Sequence, residues 1–101
     1  MINNKFKPER FPELSDTVDL MLSDDYKDRF VAEFYQIMIR SWKLAIMIDK
    51  YERGELDDMP KSFRCSYALL KRQLKVMEEY ESILADRAII EGIGVENGKE
   101  T

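Results

Sequence analysis

The chain has 101 residues, 45% of them aliphatic or aromatic and 36% charged, with a net charge of −4. That composition describes one domain with a small core, and its acidic balance disfavours a long nucleic-acid polymer as partner. The chain has no histidine and one cysteine, Cys65, so the commonest general base, the usual zinc ligand, every Ser-His or Cys-His nucleophile pair and any intramolecular disulfide are excluded.

Residues 1–11 read as extended, and Lys5, Lys7, Pro8, Arg10 and Pro12 interrupt any apolar targeting segment. With a lone cysteine, this gives the expectation of a soluble protein of a reducing cytoplasm. Three basic and six acidic groups fall in residues 1–25, which leaves the rest of the chain nearly neutral. A small anion held by a few local Arg and Lys side chains is therefore compatible with the charge. Pro12-Glu13 suits the start of a short helix of about ten residues, with Leu14, Val18, Met21 and Leu22 on its apolar face.

Ser23, Asp24 and Asp25 offer an N-cap and first-turn acids for a long helix from about residue 26. Lys50, Arg53 and Gly54 supply its basic last turn and stop. Two adjacent apolar stripes run along it. One is Phe30, Phe34, Ile37, Ser41, Leu44, Ile48 and Tyr51; the other is Val31, Tyr35, Met38, Trp42 and Ala45. A mean spacing of about 3.5 keeps each stripe on one face, and one partner helix covers one stripe but not both. The pattern predicts a chain that folds against copies of itself or another protein. The greasiest run, Ile37 to Ile48, contains Arg40 and Lys43 and is too short to span a bilayer.

Residues 54–64, with Gly54, Asp57, Asp58 and Pro60, read as a connecting loop, after which Ser62 or Ser66 caps a second helix running to about Ile90. Its first seam is Tyr67, Leu70, Leu74, Met77, Glu81, Leu84 and Ala88. The adjacent line is Leu69, Gln73, Val76, Tyr80, Ile83, Arg87 and Ile90. Gly92 and Gly94 end the helix, and Val95 to Thr101 reads as a polar tail. Two helices of this length, each about 40 Å long, form an elongated hairpin with little interior. The expected fold is all-α: a short N-terminal helix and a long antiparallel αα-hairpin, assembled into a helical homo-oligomer. The chain divides into an N-terminal extension (1–23), the hairpin (24–92) and a polar tail (93–101).

No catalytic residue, cofactor or metal is expected. Cys65 at a helix start beside Arg64 has a dipole to lower its thiol pKa but no base to work with, and suits a structural role. The carboxylate pairs Asp57–Asp58 and Glu78–Glu79 read as solvated surface. Polar residues inside the apolar stripes say more: Ser41 in the first helix, Gln73 and Arg87 in the second. An unpaired buried guanidinium costs several kcal/mol. Arg87 must therefore pair with a carboxylate such as Glu81 or Asp49 of a neighbouring subunit, or face a ligand phosphate. Arg40 and Lys43, three apart near Trp42, Tyr26 and Tyr35, either snorkel from a packed helix or supply phosphate contacts beside rings on which a base stacks.

The run Tyr26-x-x-Arg29-Phe30-Val31-x-Glu33, then Ile37, Arg40 and Lys43-Leu44, is followed after the loop by a second signature. This is Leu69-Leu70-x-x-Gln73-Leu74-x-x-Met77-x-x-Tyr80-x-x-x-Leu84-x-x-Arg87. Over roughly residues 24–92 the chain resembles a family of small phage proteins that sequester the cyclic-oligonucleotide messengers of bacterial CBASS immunity. The resemblance implies a viral, anti-CBASS protein of the host cytoplasm, with helical subunits forming a homohexamer from dimers. It would bind cyclic dinucleotides between protomers without cleaving them, and cyclic trinucleotides at a separate site. On this reading Tyr26 stacks on a base and Arg40 or Lys43 meets phosphate at the dinucleotide site, while Arg87, with Gln73 and Tyr80, belongs to the trinucleotide site. No membrane contact is implied.

Three other readings stand beside it. A non-enzymatic helical oligomeric adaptor that binds a host or phage protein explains the stripes equally well, with Gln73 and Arg87 setting helix register. A nucleic-acid-binding regulator would rely on the one basic cluster, Lys71, Arg72 and Lys75, against the acidic remainder. A sponge for another signalling nucleotide, such as those of Thoeris defence, has the same sequence requirements as the first reading.

Overall fold

A computed structural model describes residues 12–55 and 65–95. Asp57, Asp58, Pro60 and Ser62 of the loop, residues 1–11 and residues 96–101 lie outside the described residues. Every regular element among the described residues is helical. A 3-10 turn over Leu14–Thr17 runs into α1 (Val18–Met21), followed by α2 (Tyr26–Glu52) and α3 (Tyr67–Glu91).

Neither long helix contains Gly or Pro, and each is bounded where its end groups need partners. The Asp25 carboxylate accepts the Lys27 amide at 2.9 Å, and the Ser66 hydroxyl accepts the Leu69 amide at 3.1 Å. Ser66 is thus the cap of the second helix. At the other ends Gly54 (φ 78°) and Gly92 (φ 71°) turn left-handed. The amides one residue later, at Glu55 and Ile93, return to the carbonyls of Lys50 and Ala88, both at 2.9 Å.

Contacts between the long helices run in opposite order along the two sequences: Tyr26 to Glu91, Ser41 to Glu81 and Glu52 to Tyr67. The hairpin is antiparallel. Its apolar contacts fall into two clusters. The larger, at the end away from the loop, brings Phe30 and Phe34 of α2 against Leu84 and Ala88 of α3, with Ile93 folded back upon it. The smaller, near the loop, joins Leu44 and Ile48 to Leu70. Between them Ser41 is buried, and its hydroxyl lies 3.0 Å from Glu81 Oε1 and 3.1 Å from the Met38 carbonyl as donor. The first stripe of α2 thus faces α3 as expected, and the first seam of α3 faces α2.

The second stripe is not left entirely for another subunit. Leu20 of the N-terminal segment packs into the same cluster as Val31, Tyr35 and Ile39, so half of that stripe is covered within the chain. Beyond this cover Trp42 and Ile46 are exposed. The N-terminal helix also presents a different face from the expected one. Thr17 and Leu20 are buried and Leu14 packs beside them, whereas Val18, Met21 and Leu22 point outward. The 3-10 turn explains the change, because three residues per turn align positions 14, 17 and 20. Thr17 tolerates burial because its hydroxyl donates to the Leu14 carbonyl (2.7 Å) and accepts from Gln36 (3.0 Å).

Candidate functional site

The cap at Asp25 and the turn at Gly92–Ile93 hold the start of α2 beside the end of α3, and a polar and aromatic cluster forms where they meet. Arg87 Nη2 donates to the Tyr26 hydroxyl at 2.7 Å. That hydroxyl donates to Glu91 Oε1 at 2.9 Å, and Arg87 Nε donates to Glu91 Oε2 at 3.2 Å. The guanidinium lies 5.0 Å from the centre of the Phe30 ring, and the Tyr26 ring meets Phe30 edge-on at 6.2 Å. All three members of the polar triangle are solvent-exposed.

The electrostatics follow from this triangle. The hydrogen bond to the Glu91 carboxylate, with some desolvation, pushes the Tyr26 phenol above its ordinary value. The same hydrogen bond, joined by that from Arg87, holds the Glu91 carboxyl below its usual range. Glu91 in turn raises the guanidinium further, so Arg87 is a permanent cation. Chemically the cluster offers an exposed ring edge and a fork of N–H donors whose present acceptors are a carboxylate and a phenol.

The structure therefore joins Tyr26 and Arg87, which sequence reasoning placed at two sites. Arg40 and Lys43 lie elsewhere on α2. Fourteen residues separate Tyr26 from Arg40, about 20 Å along the helix, so within one chain they do not share a small ligand. Both basic residues are exposed, and neither has an ion-pair partner among the described residues. Tyr35, by contrast, is in the core. Gln73 and Tyr80 sit on α3 with Arg87 at seven-residue intervals. The Tyr80 hydroxyl donates to Glu33, which pushes its phenol upward. Gln73 is exposed, with its amide 3.7 Å from the Met77 sulfur.

The carboxylates considered as partners for Arg87 are engaged within the chain: Asp49 pairs with Arg53 at 2.9 Å, and Glu81 accepts from Ser41. Lys71 of the basic cluster is paired with Glu52 at 2.8 Å beside Tyr67. Sequence reasoning missed Glu91 and the role of Phe30. Glu91 was legible as the i+4 neighbour of Arg87 on one helix face. The contact with Phe30 depends on hairpin register and leaves no local signal.

Among the described residues no cluster of His, Cys, Asp and Glu suits a metal ion, and no helix is long and apolar enough to cross a membrane. No curated protein and no solved structure matches the chain. A family model described as Sequestin matches residues 24–90, which takes in both long helices and every candidate residue except Glu91. The matched segment spans about two-thirds of the sequence, and the family's name denotes sequestration, a binding role; the chain belongs to the Sequestin family.

Proposed function

We propose that this protein is a phage anti-defence sponge that binds cyclic di- or trinucleotide immune messengers and withholds them without cleavage. The observation that carries the reading is the exposed Tyr26–Arg87 pair beside Phe30, inside the segment that matches a sequestering family. It combines a ring that stacks on a base with a guanidinium whose planar fork suits two phosphate oxygens. A bound phosphate takes the place of the Glu91 carboxylate, one anion replacing another on the same donors. Arg40 and Lys43, exposed and without ion-pair partners among the described residues, supply phosphate contacts at a second site. Their distance from Tyr26 in one chain requires Tyr26 of one protomer to meet Arg40 and Lys43 of another, as in a homohexamer built from dimers. Gln73 and Tyr80 complete the trinucleotide site along the α3 line.

The test is a melting curve of the purified protein with 3′,3′-cyclic GMP-AMP, cyclic di-AMP and cyclic tri-AMP. A ligand at about 100-fold its Kd stabilises the native state by about 2.7 kcal/mol, several degrees or more for a domain of this size. The expected result is a rise with at least one messenger and recovery of intact ligand after denaturation. Arg87→Ala should abolish the rise with cyclic tri-AMP. No rise with any of the three, in a well-folded protein, overturns the proposal and favours the adaptor reading.

A further inference from the structure

Away from the cluster at Tyr26 and Arg87, burial changes sharply along the second stripe of α2. Val31, Tyr35 and Ile39 are at most 1% exposed, whereas Trp42 and Ile46 are 47% and 37% exposed. Steps of four, three and four from Tyr35 to Ile46 keep all of these residues on one helix face. The buried half is the half that Leu20 and the rest of the N-terminal segment cover.

The course of that segment shows where its cover is heading. The Ser23 hydroxyl donates to Asp28 at 2.8 Å, and Arg29 donates to the Ser23 carbonyl at 2.8 Å. Six residues earlier in the chain, Thr17 accepts from Gln36 at 3.0 Å. Going back from Ser23 to Thr17 therefore advances seven or eight residues along α2, about 11 Å. The segment runs antiparallel to α2, and Leu14 still packs against the same core. Continued at this pitch, the half-buried Pro12 stands level with about residue 42 of α2. The chain that precedes Pro12 thus leaves the core pointing along the exposed half of the stripe.

We propose that residues 1–11 continue on this line and cover Trp42 and Ile46 of the same chain, with Phe11 and Phe6 as the covering rings. Length suffices: the face from Trp42 to Lys50 is about 12 Å long, and eleven extended residues span up to about 36 Å. Composition suits the task, because Ile2, Phe6 and Phe11 are apolar while Pro8 and Pro12 disfavour a helix and favour the extended form. Charge does not oppose it. Asp49 borders one flank of the patch and Lys43 and Lys50 the other, and the segment carries Glu9 among Lys5, Lys7 and Arg10. Tethering decides between this occupant and a separate one. A short segment joined at Pro12 acts at about millimolar effective concentration, which any free partner has to exceed.

The test uses the chain's one tryptophan, Trp42, which lies on the patch itself. In the full chain its emission should lie at short wavelength and resist quenching by acrylamide. Removal of residues 2–11, and separately Phe6→Ser/Phe11→Ser, should shift the emission to longer wavelength and raise the quenching constant. Helical circular dichroism should be retained in both, because the contacts that hold α1, α2 and α3 together lie within residues 14–93. The protection in the full chain should persist on dilution, as a contact within one chain must. Equal emission and quenching in the full chain and both variants would overturn the proposal. So would protection that disappears on dilution, which assigns the cover to a second copy.

Discussion

Leu20→Ala tests whether the N-terminal segment is part of the domain or an appendage to the family-matched hairpin. Leu20 is 2% exposed and packs with Val31, Tyr35 and Ile39, whereas Leu22, two residues on, is 72% exposed. Truncation to Ala removes three carbons, which at about 0.8 kcal/mol each gives a transfer loss of about 2.4 kcal/mol. Incomplete collapse of the cavity raises this to about 3–4 kcal/mol. A domain of this size loses about 4–8 °C per kcal/mol, so the midpoint should fall by about 12–30 °C. Leu22→Ala is the matched control, with an expected change within about 0.5 kcal/mol. Both are read from thermal melts followed by far-UV circular dichroism, at one protein concentration so that association does not confound them. Equal shifts in the two variants, or none in Leu20→Ala, would refute the claim that residues 14–21 cover the second stripe of α2.

Two further outcomes follow from the polar contacts. Glu52, held low by Lys71 and then by Tyr67, and Glu91, held low first by Tyr26, both lie below the ordinary value of about 4.5. A depressed carboxyl stabilises the fold above its unfolded pKa, and that contribution is lost as pH falls through its folded pKa. The melting midpoint should therefore be level from neutrality to about pH 5 and decline below it, and Glu52→Gln/Glu91→Gln should make the decline shallower; an unchanged acid limb would count against these pairings. Ser41→Ala leaves Glu81 without its buried donor between the two apolar clusters and should cost about 1–2 kcal/mol in urea denaturation, with an unchanged midpoint as the refuting result.

How far the sequence carries can be read from particular residues. Asp25, Ser66, Gly54 and Gly92 act as caps and stops through contacts within five residues, so both long helices were legible, with the start of the second narrowed only to Ser62 or Ser66. The stripe from Phe30 to Ile48 and the seam from Leu70 to Ala88 were legible because periodicity alone selects a face. The N-terminal face was not, because its first turn is 3-10 and its buried threonine depends on Gln36, nineteen residues away. The cover on Val31 and Tyr35 was missed for a related reason: two stripes on one helix indicate two partners but not whether the second lies in the same chain. Tyr26 and Arg87, sixty-one residues apart, meet only because of the hairpin register. The packing of the two apolar clusters sets that register, and no local pattern encodes it.

Affinity sets what the candidate cluster must do in the proposed function. A sponge must bind its messenger below the concentration that activates the host effector, and a nanomolar Kd corresponds to about −12 kcal/mol. Stacking contributes about 1–3 kcal/mol per base, so two bases supply at most about half of that. The guanidinium of Arg87 adds little on an open surface, since it is exposed, screened by salt and already bonded to Glu91, and a phosphate gains only the difference between two anions. One protomer with an open cluster therefore falls well short of sequestering affinity. Enclosure by a second protomer changes the balance, because it removes water from the charge pair, brings a second set of rings and cations to the ligand, and does so on a preformed surface. On physical grounds, the proposed sequestration needs the open Tyr26–Arg87 cluster to be enclosed by more than one protomer.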